Sequence, residues 1–419
     1  MMASTPGFEP EAGGEEIIAP LPRVTLQAFC ETQEVAAAMQ AVTADRRMDK
    51  VQARIQMGGP AAAVEAFRGA PTPNVIVLET VRDSSVLIAN LDALAESCDP
   101  GTKVVVIGHV NDIQLYRELI RRGVSDYLVA PFGVLDLLRT LSELYSASGS
   151  ATLGRTIAVV GAKGGVGAST IAHNVAWAIA RNLDASTVIA DLDIAFGTAG
   201  LDFNQDPPQG IADAVFAPER LDANMLDRLL SRCSENLSLL AAPAMLDRTI
   251  DLGEDAFDLL LDLLRTSVPC IVLDVPHLWT GWAKRALVGA DEVAIVAAPE
   301  LASLRNAKNL VDLLRAARPN DAMPRLILNQ VGLPRRPEIE AAEFAKALGI
   351  EVMSSIPFDA QLFGTAANNG QMIAEVQAGS KVADVFVQIG TALTGRGEQK
   401  RGKRSLFEPL VAKLMRRKA

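Results

Sequence analysis

The chain predicts an α/β protein built from two parallel-sheet domains in series, and three features carry that expectation. Short continuous apolar runs, such as Val75-Ile76-Val77-Leu78 and Val104-Val105-Val106-Ile107, alternate with longer helical stretches. That is the pattern of strands covered on both faces by crossover helices. A small polar stretch, Ser146-Ala147-Ser148-Gly149-Ser150, interrupts the alternation and reads as a linker. Beyond it, the glycine-rich segment Gly161–Thr170 falls between an apolar strand run and a helical one. In that setting a chain can turn backbone N–H groups around phosphate oxygens.

Taken in order, residues 1–22 are acidic and contain Gly and Pro, and they read as a flexible leader. They lack the basic start and apolar centre of a secretory signal. The first domain is expected over 23–145, with strands at 24–29, 74–79, 103–108 and 125–129 and a helix over 113–122. The linker occupies 146–154. The second domain, over 155–393, opens with a strand at 156–160 and a helix from 171. Further strands are expected at 187–190, 237–241, 270–275, 292–297 and 325–329. A basic tail follows at 394–419.

Composition narrows the function. With 419 residues and 49% hydrophobic content, the chain is long enough for two or three domains with large cores. A formal net charge of −10 opposes a globally basic nucleic-acid binder. Cys30, Cys98, Cys233 and Cys270 are scattered, with no C-x-x-C pair and no histidine cluster. Structural zinc and a disulfide framework are therefore not expected, and a reducing cytoplasm suits the chain. No apolar run is long enough to span a bilayer.

The chemistry is concentrated in Gly161-Ala162-Lys163-Gly164-Gly165-Val166-Gly167-Ala168-Ser169-Thr170. The Ser169 hydroxyl is placed to bind Mg2+. The lysine that precedes the hydroxyl residue in G-x-x-x-x-G-K-[ST] is replaced by Ala168, and another lysine, Lys163, stands near the start of the loop. Two further segments end apolar runs in carboxylates: Asp191-Leu192-Asp193, and Asp274 in Cys270-Ile271-Val272-Leu273-Asp274. On an extended chain, residues two apart point to the same side, so Asp191 and Asp193 are expected to face one site. Asp274 is expected to hold Mg2+ at the ligand edge of the sheet.

K-G-G-x-G-x-S/T resembles the deviant phosphate loop of the ParA/MinD ATPases, and the resemblance covers roughly 155–390. It implies a doubly wound P-loop NTPase domain that binds ATP and Mg2+ and forms a homodimer around ATP. Lys163 would reach across that dimer to the partner's nucleotide. Asp193 would orient the attacking water, and Asp191 would support it and the metal. Asn329, ending the 325–329 strand, would read the adenine edge. Pro357, in Ile356-Pro357-Phe358-Asp359, would lie near the base and the dimer face. Val275-Pro276-His277-Leu278-Trp279 departs from the family's usual second switch. Ala168 removes a cation aimed at the transferring phosphoryl group, a loss of about 3–4 kcal/mol of transition-state stabilisation. The expectation is therefore a slow or inactive ATPase that binds ATP better than it hydrolyses it.

Residues 24–145 resemble a response-regulator receiver, a flavodoxin-like domain, through Gly123-Val124-Ser125-Asp126-Tyr127-Leu128-Val129-Ala130-Pro131-Phe132. The receiver's lysine is Ala130 here, and its phosphoacceptor aspartate aligns with Glu79. Its Ser/Thr aligns with Gly108 or His109, and its acidic pair is reduced to Glu31 beside Cys30. Phosphoryl transfer lacks its metal carboxylates and its cation. Glu79 reads either as a mimic of a phosphorylated aspartate or as a strand-end carboxylate, and the domain reads as a docking module.

In the tail, Leu406, Phe407, Leu410, Val411, Leu414 and Met415 share one helical face among basic residues. The pattern suits an anionic membrane surface, and equally a helix packed on its own domain or on a partner. A degenerate receiver joined to a deviant phosphate loop resembles the TadZ/CpaE proteins of Flp/Tad pilus assembly. That resemblance implies a cytoplasmic localisation factor at the cell pole, peripheral to the inner membrane. Its partners would be the pilus secretion ATPase and polar landmark proteins, with nucleic acid not among them. The alternative is a MinD/ParA-type positioning or partition ATPase that cycles by hydrolysis.

Overall fold

The computed structural model describes residues 18–146, 153–243, 246 and 250–395. The amphipathic face expected at 406–415 lies outside them. The described residues divide into two compact units, one taking those within 18–153 and 312–323, the other those within 154–311 and 324–395.

The first unit runs β1 (Val24–Cys30), α1 (Gln33–Thr43), β2 (Val51–Met57), α2 (Gly59–Phe67), β3 (Val75–Glu79), α3 (Ser84–Ala95), β4 (Lys103–Gly108), α4 (Ile113–Arg121), β5 (Asp126–Val129) and α5 (Val134–Ser146). Its five strands are parallel in the order β2-β1-β3-β4-β5. Strand alternation divides the core. Val75 and Val77 pack on one face with Val35, Met39, Leu137 and Leu141, while Ile76 and Leu78 pack on the other with Ala63, Phe67, Leu87 and Leu119. Each fully buried Val, Ile or Leu contributes about 1.5–3 kcal/mol over leaving it exposed. Helix starts are set by side chains: Thr32 Oγ1 accepts from Val35 N, and Asp112 Oδ1 accepts from Gln114 N and Leu115 N.

The second unit contains β6 (Arg155–Gly161), α6 (Ala168–Asn182), β7 (Thr187–Asp191), α7 (Ala199–Asp202), β8 (Ser231–Arg232), β9 (Leu237–Leu240), β10 (Cys270–Val275), β11 (Glu292–Ala297), β12 (Arg325–Val331) and β13 (Val352–Pro357). The eight strands run β13-β12-β11-β6-β10-β7-β9-β8, parallel except for the β8–β9 pair. Helix α6 packs across β6, β10 and β7 and against the helix Lys381–Leu393. It buries Ile171, Ala172, Val175, Ala176 and Ile179. The loop after β6 thus emerges at the centre of the sheet, at the carboxyl edge where open α/β sheets bind ligands.

Several expectations need correction. Strands β2 and β13 went unforeseen, because both are edge strands interrupted by polar residues at exposed or half-exposed positions, so neither reads as a continuous apolar run. The leader is not free throughout: Ile18 and Leu21 are buried in the first unit's core. Residues 312–323, expected within the second domain, group with the first unit. There Arg46, Arg47 and Arg318 surround Asp321. Burial opposes ionisation of Asp321, yet these guanidiniums hold its carboxyl down at about 2. Finally, β7 ends at Asp191, so Asp191 and Asp193 do not lie on one extended strand.

Candidate nucleotide site

The glycine loop connects β6 to α6 and is tied down by its carbonyls. His277 Nδ1 lies 2.9 Å from the Gly161 carbonyl, and Asn306 Nδ2 donates to that of Ala162 at 2.9 Å. Gln330 Nε2 donates to the carbonyl of Gly165 at 2.9 Å, and Asn329 Nδ2 to that of Val166 at 2.8 Å. Holding peptide planes by the carbonyl side leaves the N–H side of the loop for an anion, next to the positive end of α6. Gly167 is required at the turn into the helix. Its φ is +84°, and a Cβ there would lie 2.6 Å from Asn329 Nδ2.

Of the expected metal residues, Asp191 and Asp274 are brought side by side on neighbouring strands. Ser169 occupies the first turn of α6. Asp191 ends β7, Asp274 is the last residue but one of neighbouring β10, and the two pair directly across the sheet. Both are buried. Asp191 organises the segment that follows it: Oδ1 accepts from Asp193 N at 3.0 Å and Oδ2 from Ala199 N at 3.1 Å. This side-chain-to-backbone turn is what ends the strand. Burial, then the charge of Asp274, push the Asp191 carboxyl well above the usual carboxylate range.

Asp193 is half-buried, and its Oδ1 accepts from Phe196 N at 3.0 Å, so it caps the turn after β7. Lys163 is exposed, and its Nζ donates to Glu300 Oε1 at 2.5 Å. Asn329 is buried, with one amide hydrogen on Val166 and its Oδ1 available as an acceptor. Pro357 ends β13, three strands from β6, about 14 Å away at about 4.8 Å per strand. Ala168 starts α6, and Gly164, Gly165, Val166 and Thr170 complete the loop and first turn.

The sequence reading passed over His173. It lies on α6 four residues after Ser169, on the same helix face, and is fully buried. Its Nδ1 is 2.7 Å from Asp202 Oδ2, and its Nε2 is 3.4 Å from Asp274 Oδ2. Burial lowers the imidazole's proton affinity, but the carboxylates of Asp202 and Asp274 outweigh it and raise the pKa. A histidine among the buried Ile, Ala and Val residues of α6, one turn after Ser169, was the available signal.

The first unit's counterpart site is closed. Glu79 is buried, and its Oε2 accepts from the backbone N–H groups of Glu31 (2.7 Å) and Thr32 (2.9 Å). Its Oε1 accepts from Thr32 Oγ1 (2.6 Å) and lies 3.0 Å from His109 Nε2. Burial opposes ionisation, yet these bonds hold the Glu79 carboxyl below its ordinary value. Glu31 is engaged elsewhere, accepting from Val81 N and Arg82 Nε. His109 and Ala130 line a small pocket with Glu34, Val35, Ala38, Pro131 and Phe132.

A central phosphate loop and paired buried carboxylates at the carboxyl edge of a doubly wound sheet define a nucleotide-binding α/β protein. The chain belongs to the CobQ/CobB/MinD/ParA nucleotide binding domain family, which matches residues 157–372. It is 26% identical to the septum site-determining protein MinD of Helicobacter pylori, over 61% of this chain and 97% of that protein. MinD of Pyrococcus horikoshii, solved with Mg-ADP, shares the fold at 20% identity and a TM-score of 0.52, covering 61% of this chain and 100% of that one. The pilus assembly protein CpaE of Caulobacter crescentus is 46% identical over 30% of this chain and 98% of that chain, with a TM-score of 0.30.

Proposed function

We propose that this protein is an ATP-gated localisation factor for pilus assembly, with ATP binding rather than ATP consumption as its working step. The observation that carries the reading is the joining of two altered sites on one chain. One is a receiver-like unit whose acceptor position, Glu79, has its carboxylate occupied by its own neighbours. The other is a phosphate loop that keeps Lys163, Ser169 and Asp274 but carries Ala168 in place of the phosphate-contacting lysine. The first cannot take a phosphoryl group without a free carboxylate, a metal and a cation. The second retains the backbone cradle and the carboxylates but lacks a charge needed most in the transition state.

ATP and Mg2+ would bind at the loop, with Ser169, Asp191 and Asp274 on the metal side and Asn329 and Pro357 toward the base. Two copies would then close face to face, with Lys163 leaving Glu300 for the partner's nucleotide and Asp193 reporting the γ-phosphate. The receiver-like unit would dock to a landmark or to the secretion ATPase at the cell pole. The pilus assignment draws on the similarity to the Caulobacter protein.

The test measures oligomeric state and phosphate release together on the full chain, with and without ATP and Mg2+. ATP-dependent dimerisation with little turnover supports the reading. Turnover at ordinary family rates would replace it with a positioning ATPase that cycles by hydrolysis. A fluorescent fusion scored for a polar focus, alongside filament counts in a deletion strain, tests the localisation role.

A further inference from the structure

The cluster beneath the phosphate loop contains more than two carboxylates. His173, Asp191 and Asp274 are all buried, and one donor atom from each lies within 4.8 Å of the others. The His173 Nε2 has no hydrogen-bond partner. It stands 3.4 Å from Asp274 Oδ2, long for a hydrogen bond to a carboxylate. That separation is close to another kind of contact: two donors about 2.0–2.1 Å from one metal ion, at a tetrahedral angle, are about 3.4 Å apart.

We infer that His173, Asp191 and Asp274 form a divalent-metal site with a nitrogen ligand, one that takes Mn2+, Co2+ or Zn2+ in preference to Mg2+ and fills without nucleotide. The inference deepens the proposed function, on which it rests only for the place of Asp274 beside the nucleotide.

The surroundings of His173 are those of a metal-binding imidazole. Ligating histidines commonly give their other ring nitrogen to a carboxylate, which fixes the ring and raises its basicity. Here Asp202 does so, 2.7 Å from Nδ1, leaving Nε2 facing Asp274, with an Asp191 oxygen in the same cluster. Asp191 is itself held by two backbone N–H groups, so the site's ligands are oriented before any ion arrives. An imidazole nitrogen changes the selection. Mg2+ demands oxygen ligands and keeps several waters, whereas Mn2+, Co2+ and Zn2+ accept a nitrogen–carboxylate set in rising order of affinity from Mn2+ to Co2+. Lys163, the loop's own cation, does not neutralise the pair: it is paired with Glu300. The same geometry has a second explanation, a protonated His173 braced between Asp202 and Asp274, and that arrangement would bind no metal.

The experiment uses the full chain, stripped with chelator and free of nucleotide. It is titrated with Co2+ and followed by visible ligand-field absorption. The wild type is expected to take up one equivalent and to develop nitrogen–oxygen bands, which Zn2+ abolishes and excess Mg2+ leaves in place. His173→Gln is expected to weaken binding at least tenfold. Asp202→Asn, which keeps all three ligands and loosens the ring, is expected to weaken it about 10–100-fold. Should His173→Gln fail to fold, the wild-type titration and Asp202→Asn decide.

No Co2+ uptake by the wild type overturns the site, as does equal binding by His173→Gln, or sulfur charge-transfer absorption marking a cysteine instead. A fluorescent-ATP titration with Mg2+ runs in parallel on the same preparation. If ATP binds and dimerises the chain while Co2+ does not bind, this inference falls and the switch stands. If Co2+ binds and ATP does not, the switch falls and the metal site stands.

Discussion

Lys163 and Glu300 are joined within one chain, Nζ to Oε1 at 2.5 Å. In the proposed switch Lys163 cannot hold its own Glu300 and reach a partner's phosphate together, so this pair would compete with ATP-driven dimerisation. Exposed ion pairs contribute at most about 1 kcal/mol, which is about fivefold in an equilibrium. Glu300→Gln is expected to tighten ATP-dependent dimerisation by up to that factor in sedimentation experiments, while Lys163→Ala abolishes it. Weaker dimerisation in Glu300→Gln would show that the pair supports the closed state instead.

Restoring the missing cation tests the proposed loss of hydrolysis. Ala168→Lys is expected to raise phosphate release by about a hundred- to a thousandfold, the usual effect of a stabilising group at a transferring phosphoryl. ATP affinity should change much less, since the loop's backbone amides and the metal carboxylates are unaltered. Unchanged turnover would move the defect to the altered segment Val275-Pro276-His277-Leu278-Trp279.

Gly167→Ala places a Cβ where φ is +84° and Asn329 Nδ2 would be 2.6 Å away. The left-handed backbone alone costs about 1–2 kcal/mol, and the collision also displaces Asn329 from Val166. Lower melting temperature and weaker fluorescent-ATP binding are expected together. Adding Asn329→Ala should recover part of the stability but not the nucleotide affinity.

Glu79 gives a pH signature to the first unit. Its folded-state carboxyl is held below its ordinary value by the bonds from Glu31, Thr32 and His109, against the opposing effect of burial. A depressed folded pKa adds stability that is complete above the unfolded value and is lost as pH falls through the folded one. The protection of the Thr32 amide against hydrogen exchange, relative to its intrinsic rate at each pH, should therefore fall on acidification. Glu79→Gln should remove that dependence and cost about 1–3 kcal/mol at neutral pH by leaving buried donors unmatched. Glu79→Asp should remain unlabelled by acetyl phosphate, because Ala130 supplies no cation.

Much of this was legible from local pattern. Strands such as β3 and β10 are apolar on both faces, so their composition alone marks them as buried and parallel. β2 and β13 were missed because edge strands meet neighbours on one side only and carry polar residues at exposed or half-exposed positions. The glycine loop was legible because phosphate binding needs small residues in fixed order between strand and helix. The facing of Asp191 and Asp193 was misjudged because strand periodicity ends where the Asp191 carboxylate accepts from the Asp193 N–H.

By itself the sequence determined the α/β class, the phosphate loop with Ala168 in place of its lysine, and the residue types available for chemistry. Those follow from short-range rules: side-chain periodicity, glycine backbone freedom and the spacing of hydroxyl and carboxylate groups. Only the tertiary structure decided which residues meet. His173 joins Asp274 and Asp202, Glu300 holds Lys163, and Asn329 braces Val166, across separations of 101, 29, 137 and 163 residues. Such contacts are set by strand order and by the packing of α6 across the sheet, which no local run of residues encodes.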